Sequence, residues 1–300
     1  MTASTAPTEI TVLVPTLALP QRRVQLWRAL RSILSQQGVP IRPLVIVNGS
    51  LSDPALVREL SDDGRLDVVR IPEGSLPGAL RAGEAHTRST YLTALDDDDE
   101  LLPGALAVRV EAFERNRGIG AVVTNGIRRD AVRDTLHLHD LAPIRADPLG
   151  SMLRGNWLLP GAWLVKREAL PGPLFENIPP YLECTYLALR LATWFRIGFL
   201  DEPTVVWYTD SPLALHHSQA FLEGQAHALR ALLELPLPDT VRAAYRRRIS
   251  DAWHAVADQM LHDGRRPDAW LYHVRSLRSP GGWRYLPFTR YFLFGNRGAR

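Results

Sequence analysis

Five acidic residues in a row, Asp96, Asp97, Asp98, Asp99 and Glu100, follow directly on the apolar run Tyr91 to Leu95 and lead at once into Leu101, Leu102 and Pro103. Adjacent carboxylates repel one another, so an ionised run is costly unless it is solvated, partly protonated or gathered around a cation. Solvation is the ordinary fate of a charge run. This run abuts a strand-like segment instead of lying in a polar tail, which favours the cation. Mg²⁺ and Mn²⁺ take hard oxygen ligands, and Mg²⁺ commonly completes its shell with the phosphates of a substrate.

The segments around the run determine how it would be positioned. Ile10–Val14 is a short apolar stretch rich in β-branched residues and reads as a buried strand ending at Pro15 and Thr16. Leu26, Leu30, Ile33 and Leu34 then fall on one helical face, with Gly38 placed to end that helix. Leu44–Val47 is a second buried strand closed by the turn Asn48, Gly49 and Ser50, and a short helix around Val57–Leu60 precedes a third strand, Val68–Ile71. A helix over 76–88 and a fourth strand, Tyr91–Leu95, complete the alternation, which argues a parallel sheet covered on both faces. Open α/β sheets bind ligands outside the carboxyl ends of their strands. Pro15 and Thr16, Asn48 to Ser50 and the acidic run are therefore expected to converge on one crevice.

Further on, the spacing predicts a helix over 103–115, a strand at Ala121–Thr124, a loop or edge strands over 132–147, a turn at Pro160 and Gly161 with a strand after it, a helix over 181–195 and a strand at Leu200–Tyr208. From Gln219 the chain becomes helical. The expected organisation is an α/β domain over residues 1–218 and a helical C-terminal extension over 219–300 with a basic and aromatic tail.

Composition narrows the function classes. With 46% apolar residues in 300, the chain has ample material for a core. A net charge of +3 does not argue for nucleic-acid binding. The charge is uneven, however: residues 241–300 hold twelve Arg against four Asp, which leaves −5 for everything before. Cys184 is the single cysteine, so an intrachain disulfide and a multi-cysteine zinc site are excluded. Residues 1–9 have neither a basic start nor an apolar stretch, and Arg190 and Arg196 interrupt the most apolar window. A cytoplasmic protein without a spanning helix is the expectation. The tail, where Trp283 to Phe294 interleaves aromatics with Arg284 and Arg290, is a candidate for peripheral contact with the inner face of the cell membrane.

In their order, ITVLVPT, RALRSILSQQ, LVIVNGS, YLTALDDDDELLPGAL and YLECTYLALRLA resemble the inverting glycosyltransferases of family 2, over about Ile10 to Ser218. The resemblance implies a GT-A fold, Rossmann-like with a mostly parallel central sheet flanked by helices. It also implies a nucleoside-diphosphate sugar donor, a glycan or lipid-linked acceptor and a divalent metal, Mn²⁺ or Mg²⁺.

By the same resemblance, Pro15 and Thr16 approach the nucleotide, and Asn48 and Ser50 stand in the turn that contacts its base, where relatives carry Asp-Asp-Gly-Ser. Arg81 is the nearest equivalent of a family arginine that contacts phosphate or base. The Asp-x-Asp-Asp pattern falls on Asp96 to Asp99, which assigns ribose contact to Asp96, donor contact to Asp97 and metal ligation to Asp98. Either His216 or His217 is placed to reach the metal or the diphosphate. Relatives have Glu-Asp at the start of a late helix, the Asp serving as base; this chain has Glu183 and Cys184, so Glu183 becomes the candidate base. Trp157 is a candidate for stacking on the acceptor sugar. Asn48 and Cys184 leave a second class open, a catalytically silent relative that binds a nucleotide sugar or scaffolds a partner.

Overall fold

The computed structural model describes residues 9–209 and 219–293. In chain order the elements are β1 (Ile10–Thr16), α1 (Arg23–Leu34), β2 (Ile41–Asn48), α2 (Pro54–Asp62), β3 (Asp67–Ile71), α3 (Leu76–His86), β4 (Tyr91–Ala94), β5 (Glu100–Leu101) and α4 (Ala105–Arg115). There follow β6 (Ala121–Arg129), β7 (Asp134–Leu136), α5 (Ala142–Ala146), α6 (Pro148–Ser151), β8 (Trp163–Lys166), α7 (Glu183–Trp194) and β9 (Ile197–Tyr208). The chain closes with α8 (Gln219–Leu232), α9 (Asp239–His262), α10 (Arg266–Leu277), a 3-10 stretch Gly282–Thr289 and α11 (Arg290–Leu293).

All strands join one sheet in the order β3-β2-β1-β4-β8-β6-β9-β5, with β7 paired to β6. Its first half is parallel, as the alternation of strands and helices requires. Beyond β4 the sheet is mixed: β8 runs antiparallel to both β4 and β6, and β5 runs antiparallel to β9. A short apolar run carries no direction, so this reversal has no signature in sequence. The β1 strand is buried along its whole length, between β2 and β4, which is why it is apolar on both faces. Leu26, Leu30 and Ile33 of α1 join the core cluster that covers one face of the sheet.

Local chemistry sets the helix starts. Ser75 caps α3 by accepting from the Gly78 N–H, and Pro77 sits in the first turn, where its missing donor costs nothing. Pro77 and Gly78, poor formers of helix interiors, here mark a beginning. Gly83 has a different reason: a Cβ there would come 2.8 Å from Leu13 Cδ2, so the glycine lets α3 lie close on the sheet. Asp53 caps α2 in the same way as Ser75, accepting from the Ala55 N–H at 2.9 Å.

The chain forms two compact units, Met1–Ile178 with Leu187–Pro212, and Pro179–Tyr186 with Leu213–Arg300. Within the second, α9 buries Tyr245 and Trp253, and Trp253 stacks on Tyr272 of α10 at 5.7 Å. Ser250 and Ser276 exchange hydrogen bonds between the same two helices. The segment Pro179–Tyr186 is fastened by Tyr181, whose ring meets Phe221 edge-on at 5.5 Å. That ring lies so close to α8 that a Cβ at Gly224 would fall 2.2 Å from it. Among the described residues no helix is long and apolar enough to cross a membrane.

Candidate functional site

Strand register places the first groups. Leu13 pairs with Ala94 and Thr16 with Val47, so Thr16 stands level with Asp97 on one side and next to the end of β2 on the other. The side chains follow that register. Thr16 Oγ1 donates to Asp97 Oδ2 at 2.6 Å, and Asn48 Nδ2 donates to the Thr16 carbonyl at 3.0 Å. Asn48 is thereby turned inward, tying β2 to β1, and Gly49 takes a positive φ of 86° to close the turn behind it. Pro15 is buried in β1, whereas Ser50 and Arg81 are solvent-exposed.

The acidic run is a tight turn in which the Asp99 N–H donates to the Asp96 carbonyl at 3.1 Å. Its four aspartates have different surroundings. Asp97 and Asp99 are buried, while Asp96 and Asp98 are partly exposed. Asp99 Oδ1 accepts from the Tyr208 N–H at 3.0 Å, and Oδ2 is buried without a hydrogen-bond partner. Burial, with the charges of Asp96 and Asp98 beside it, holds the Asp99 carboxyl well above the usual carboxylate range. Burial also raises Asp97, against the opposing pull of Arg22 and the Thr16 hydroxyl.

Three residues outside the sequence-derived set hold this turn. The Arg22 guanidinium bridges Asp97 and Asp98, the latter at 2.8 Å. Arg28 donates to the Asp98 carbonyl and lies 3.6 Å over the Tyr208 ring. Tyr208, at the end of β9, also donates its hydroxyl to Glu100 at 3.1 Å. From the far end of α1, Ser32 accepts from the Leu101 N–H and Gln36 spans Leu102 and Leu106, fixing where the run leaves the turn. A signal for Arg22 exists in the sequence: Arg22 caps and Arg23 opens α1, and cations are disfavoured at a helix N-terminus, so an arginine there needs an outside partner.

The remaining candidates have surroundings of their own. Trp157 is 1% exposed, donates its indole N–H to the Pro148 carbonyl at 2.9 Å and packs edge-on against Phe199, so in this placement it is a core group. Glu183 opens α7 within the second unit and is half-buried. Burial raises its carboxyl, opposed by hydrogen bonds from the backbone N–H groups of Glu183 and Tyr181. Cys184 beside it is a half-buried free thiol. His216 and His217 lie outside the described residues.

The donor set suits a hard divalent ion. All of its groups offer oxygen, Asp98 is partly exposed, and in phosphate sites one or two carboxylates suffice because the substrate supplies further ligands. Among the described residues no three His, Cys, Asp or Glu side chains form a ready-made cage. An ion here would therefore share its shell with a ligand.

Comparison with known proteins bears on the family and the fold. The model of the family described as "Glycosyl transferase family 2" matches residues 11–167. No curated protein sequence matches the chain. Among solved structures, residues 1–349 of TarS from S. aureus in complex with UDP-GlcNAc are similar at a TM-score of 0.57 and 12% identity, covering 82% of this chain and 72% of that one. The same TarS fragment with UDP gives 0.52 and 13%, covering 82% and 71%. For another crystal structure of S. aureus TarS, not limited to residues 1–349, the values are 0.54 and 13%, with 82% of this chain and 43% of that one covered.

Proposed function

The chain belongs to glycosyl transferase family 2 and has the GT-A fold, and we propose that it transfers a sugar, with inversion, from a nucleoside-diphosphate donor to a hydroxyl of a glycan or lipid-linked acceptor. The observation that carries this reading is the meeting of Thr16, Asn48 and Asp96–Asp99 at the carboxyl ends of β1, β2 and β4, the edge at which open α/β sheets receive nucleotides. Asp96, partly exposed at the head of the turn, is suited to accept from a ribose hydroxyl. Asp98 would hold Mn²⁺ or Mg²⁺. When bound, such an ion stabilises the charge that develops on the departing diphosphate. Asp97 and Asp99, buried and engaged by Thr16, Arg22 and Tyr208, keep the turn in shape.

On the acceptor side, Glu183 takes the proton of the attacking hydroxyl. A carboxyl raised by burial is a stronger base than an exposed one, and a base works best when its pKa approaches the working pH. The inward-turned Asn48 and the thiol of Cys184 support a second reading, a silent relative that binds donors without turnover. A panel of sugar nucleotides with Mn²⁺ separates the two, beginning with UDP sugars because TarS is solved with UDP-GlcNAc. Slow hydrolysis of at least one donor is expected. Thermal stabilisation by donors without hydrolysis or transfer would favour the silent relative, and no stabilisation by any donor would sink both.

The C-terminal segment supports an assignment to the membrane surface. Residues 269–300 hold six Arg and no acidic residue. Within them Trp270, Leu271, Trp283, Leu286 and Leu293 are exposed. Exposed Trp and Leu in a segment rich in Arg suit the headgroup region of anionic lipid, although Arg284 is paired with Asp251. The protein is expected to co-sediment with phosphatidylglycerol vesicles at low salt, and Trp283→Ala with Leu286→Ala to reduce the bound fraction severalfold. Equal sedimentation with neutral and anionic vesicles would count against this docking.

A further inference from the structure

Arg22 gives the acidic turn a cation of its own. One terminal nitrogen of its guanidinium reaches both Asp97 Oδ1 and Asp98 Oδ2, the second at 2.8 Å. The side chain is 19% exposed and its Nε is buried without a hydrogen-bond partner, so the group is committed to the turn and not spread over the surface. A single positive centre serving two adjacent carboxylates is the arrangement a hard metal ion would otherwise supply. Helix stability does not explain it. The residue precedes α1, where a cation opposes the macrodipole, and no acidic side chain lies in the first helical turn to offset it.

We infer that Arg22 is a built-in counter-cation that a divalent ion must displace from Asp98. The inference rests on the proposal that Asp98 holds the ion. Guanidinium and metal cannot share the Asp98 carboxylate cheaply, because like charges a few ångströms apart in a partly dry site repel strongly. Asp97 is the contact Arg22 keeps, since the Thr16 hydroxyl and burial fix that carboxylate from its other side. The exchange therefore costs one ion pair of two. It leaves Arg22 with unspent N–H groups, whose planar fork suits a diphosphate. Metal affinity is consequently low in the free protein and rises when donor and ion arrive together.

The test is a Mn²⁺ titration without donor, followed by calorimetry or by the loss of free-ion electron paramagnetic resonance signal. Arg22→Gln is expected to bind Mn²⁺ about tenfold more tightly than the wild type, Arg22→Lys to resemble the wild type, and Asp98→Asn added to Arg22→Gln to remove the gain. Equal or weaker binding by Arg22→Gln, or a gain that survives Asp98→Asn, overturns the inference. Because no donor is present, a protein without transferase activity gives the same titration, so failure here and failure of the glycosyl-transfer reading are separate results. If Arg22→Gln does not fold, the wild type still decides. The Arg22 Nε–H resonance must shift along the Mg²⁺ binding curve, and a resonance that stays fixed while Mg²⁺ saturates the site overturns the inference.

Discussion

Glu183→Gln is expected to lower sugar transfer by about 10²–10⁴-fold while leaving donor affinity, read by thermal shift or calorimetry, close to that of the wild type. Gln keeps the shape of Glu and still accepts from the backbone N–H groups of Glu183 and Tyr181, so the start of α7 loses little. What it loses is the ability to take a proton. The pH profile adds a second reading. Burial raises the Glu183 carboxyl, so the deprotonated, active form appears later than for an exposed Glu, and the rate climbs as pH rises through that raised value. In wild type the acidic limb of kcat/KM should lie higher than an exposed glutamate would give, and in Glu183→Gln that limb should vanish from the residual rate. An unchanged rate in Glu183→Gln would remove Glu183 from the mechanism and direct attention to its neighbour Cys184.

How much of this is legible in the sequence follows from what periodicity encodes. The strands β1, β2 and β4 are readable because they are largely buried and written as continuous apolar runs between turn residues, and the acidic turn is readable because five carboxylates cannot be core. The direction of β8 is not readable, since pairing partners distant in sequence decide it. Trp157 illustrates a different limit: a tryptophan beside a Pro-Gly turn looks equally like a stacking platform and a core residue, and only the contacts with Pro148 and Phe199 distinguish them. Thr16 and Asn48 are visible as turn positions, but that Asn48 faces β1 depends on side-chain rotation. Arg22, Arg28 and Tyr208 are hardest, because each acts on the turn across a long separation in sequence, and Tyr208 reaches Asp99 from 109 positions away. An arginine at a helix start is a weak signal until its carboxylate partners are known.

Adjacent aspartates of the turn should respond to substitution in opposite ways. Asp98→Ala is expected to reduce transfer by about 10²–10³-fold, the scale on which removing one charge-stabilising group from a reacting centre is felt, with little change in melting temperature. Asp98 is partly exposed, and without it Arg22 still has Asp97, so no buried charge is stranded. Asp97→Ala leaves the Thr16 hydroxyl without its acceptor in a buried setting and Arg22 with Asp98 alone, and about 1–3 kcal/mol of stability should go with the unsatisfied group. Chemical denaturation and transfer assays on the two variants therefore give crossed results, stability lost in one and activity in the other. If Asp98→Ala kept full transfer at saturating Mn²⁺ and in chelator alike, the cation role of Asp98 would be void. Arg22 would then be the turn's permanent positive charge, and the donor diphosphate would be met by guanidinium alone.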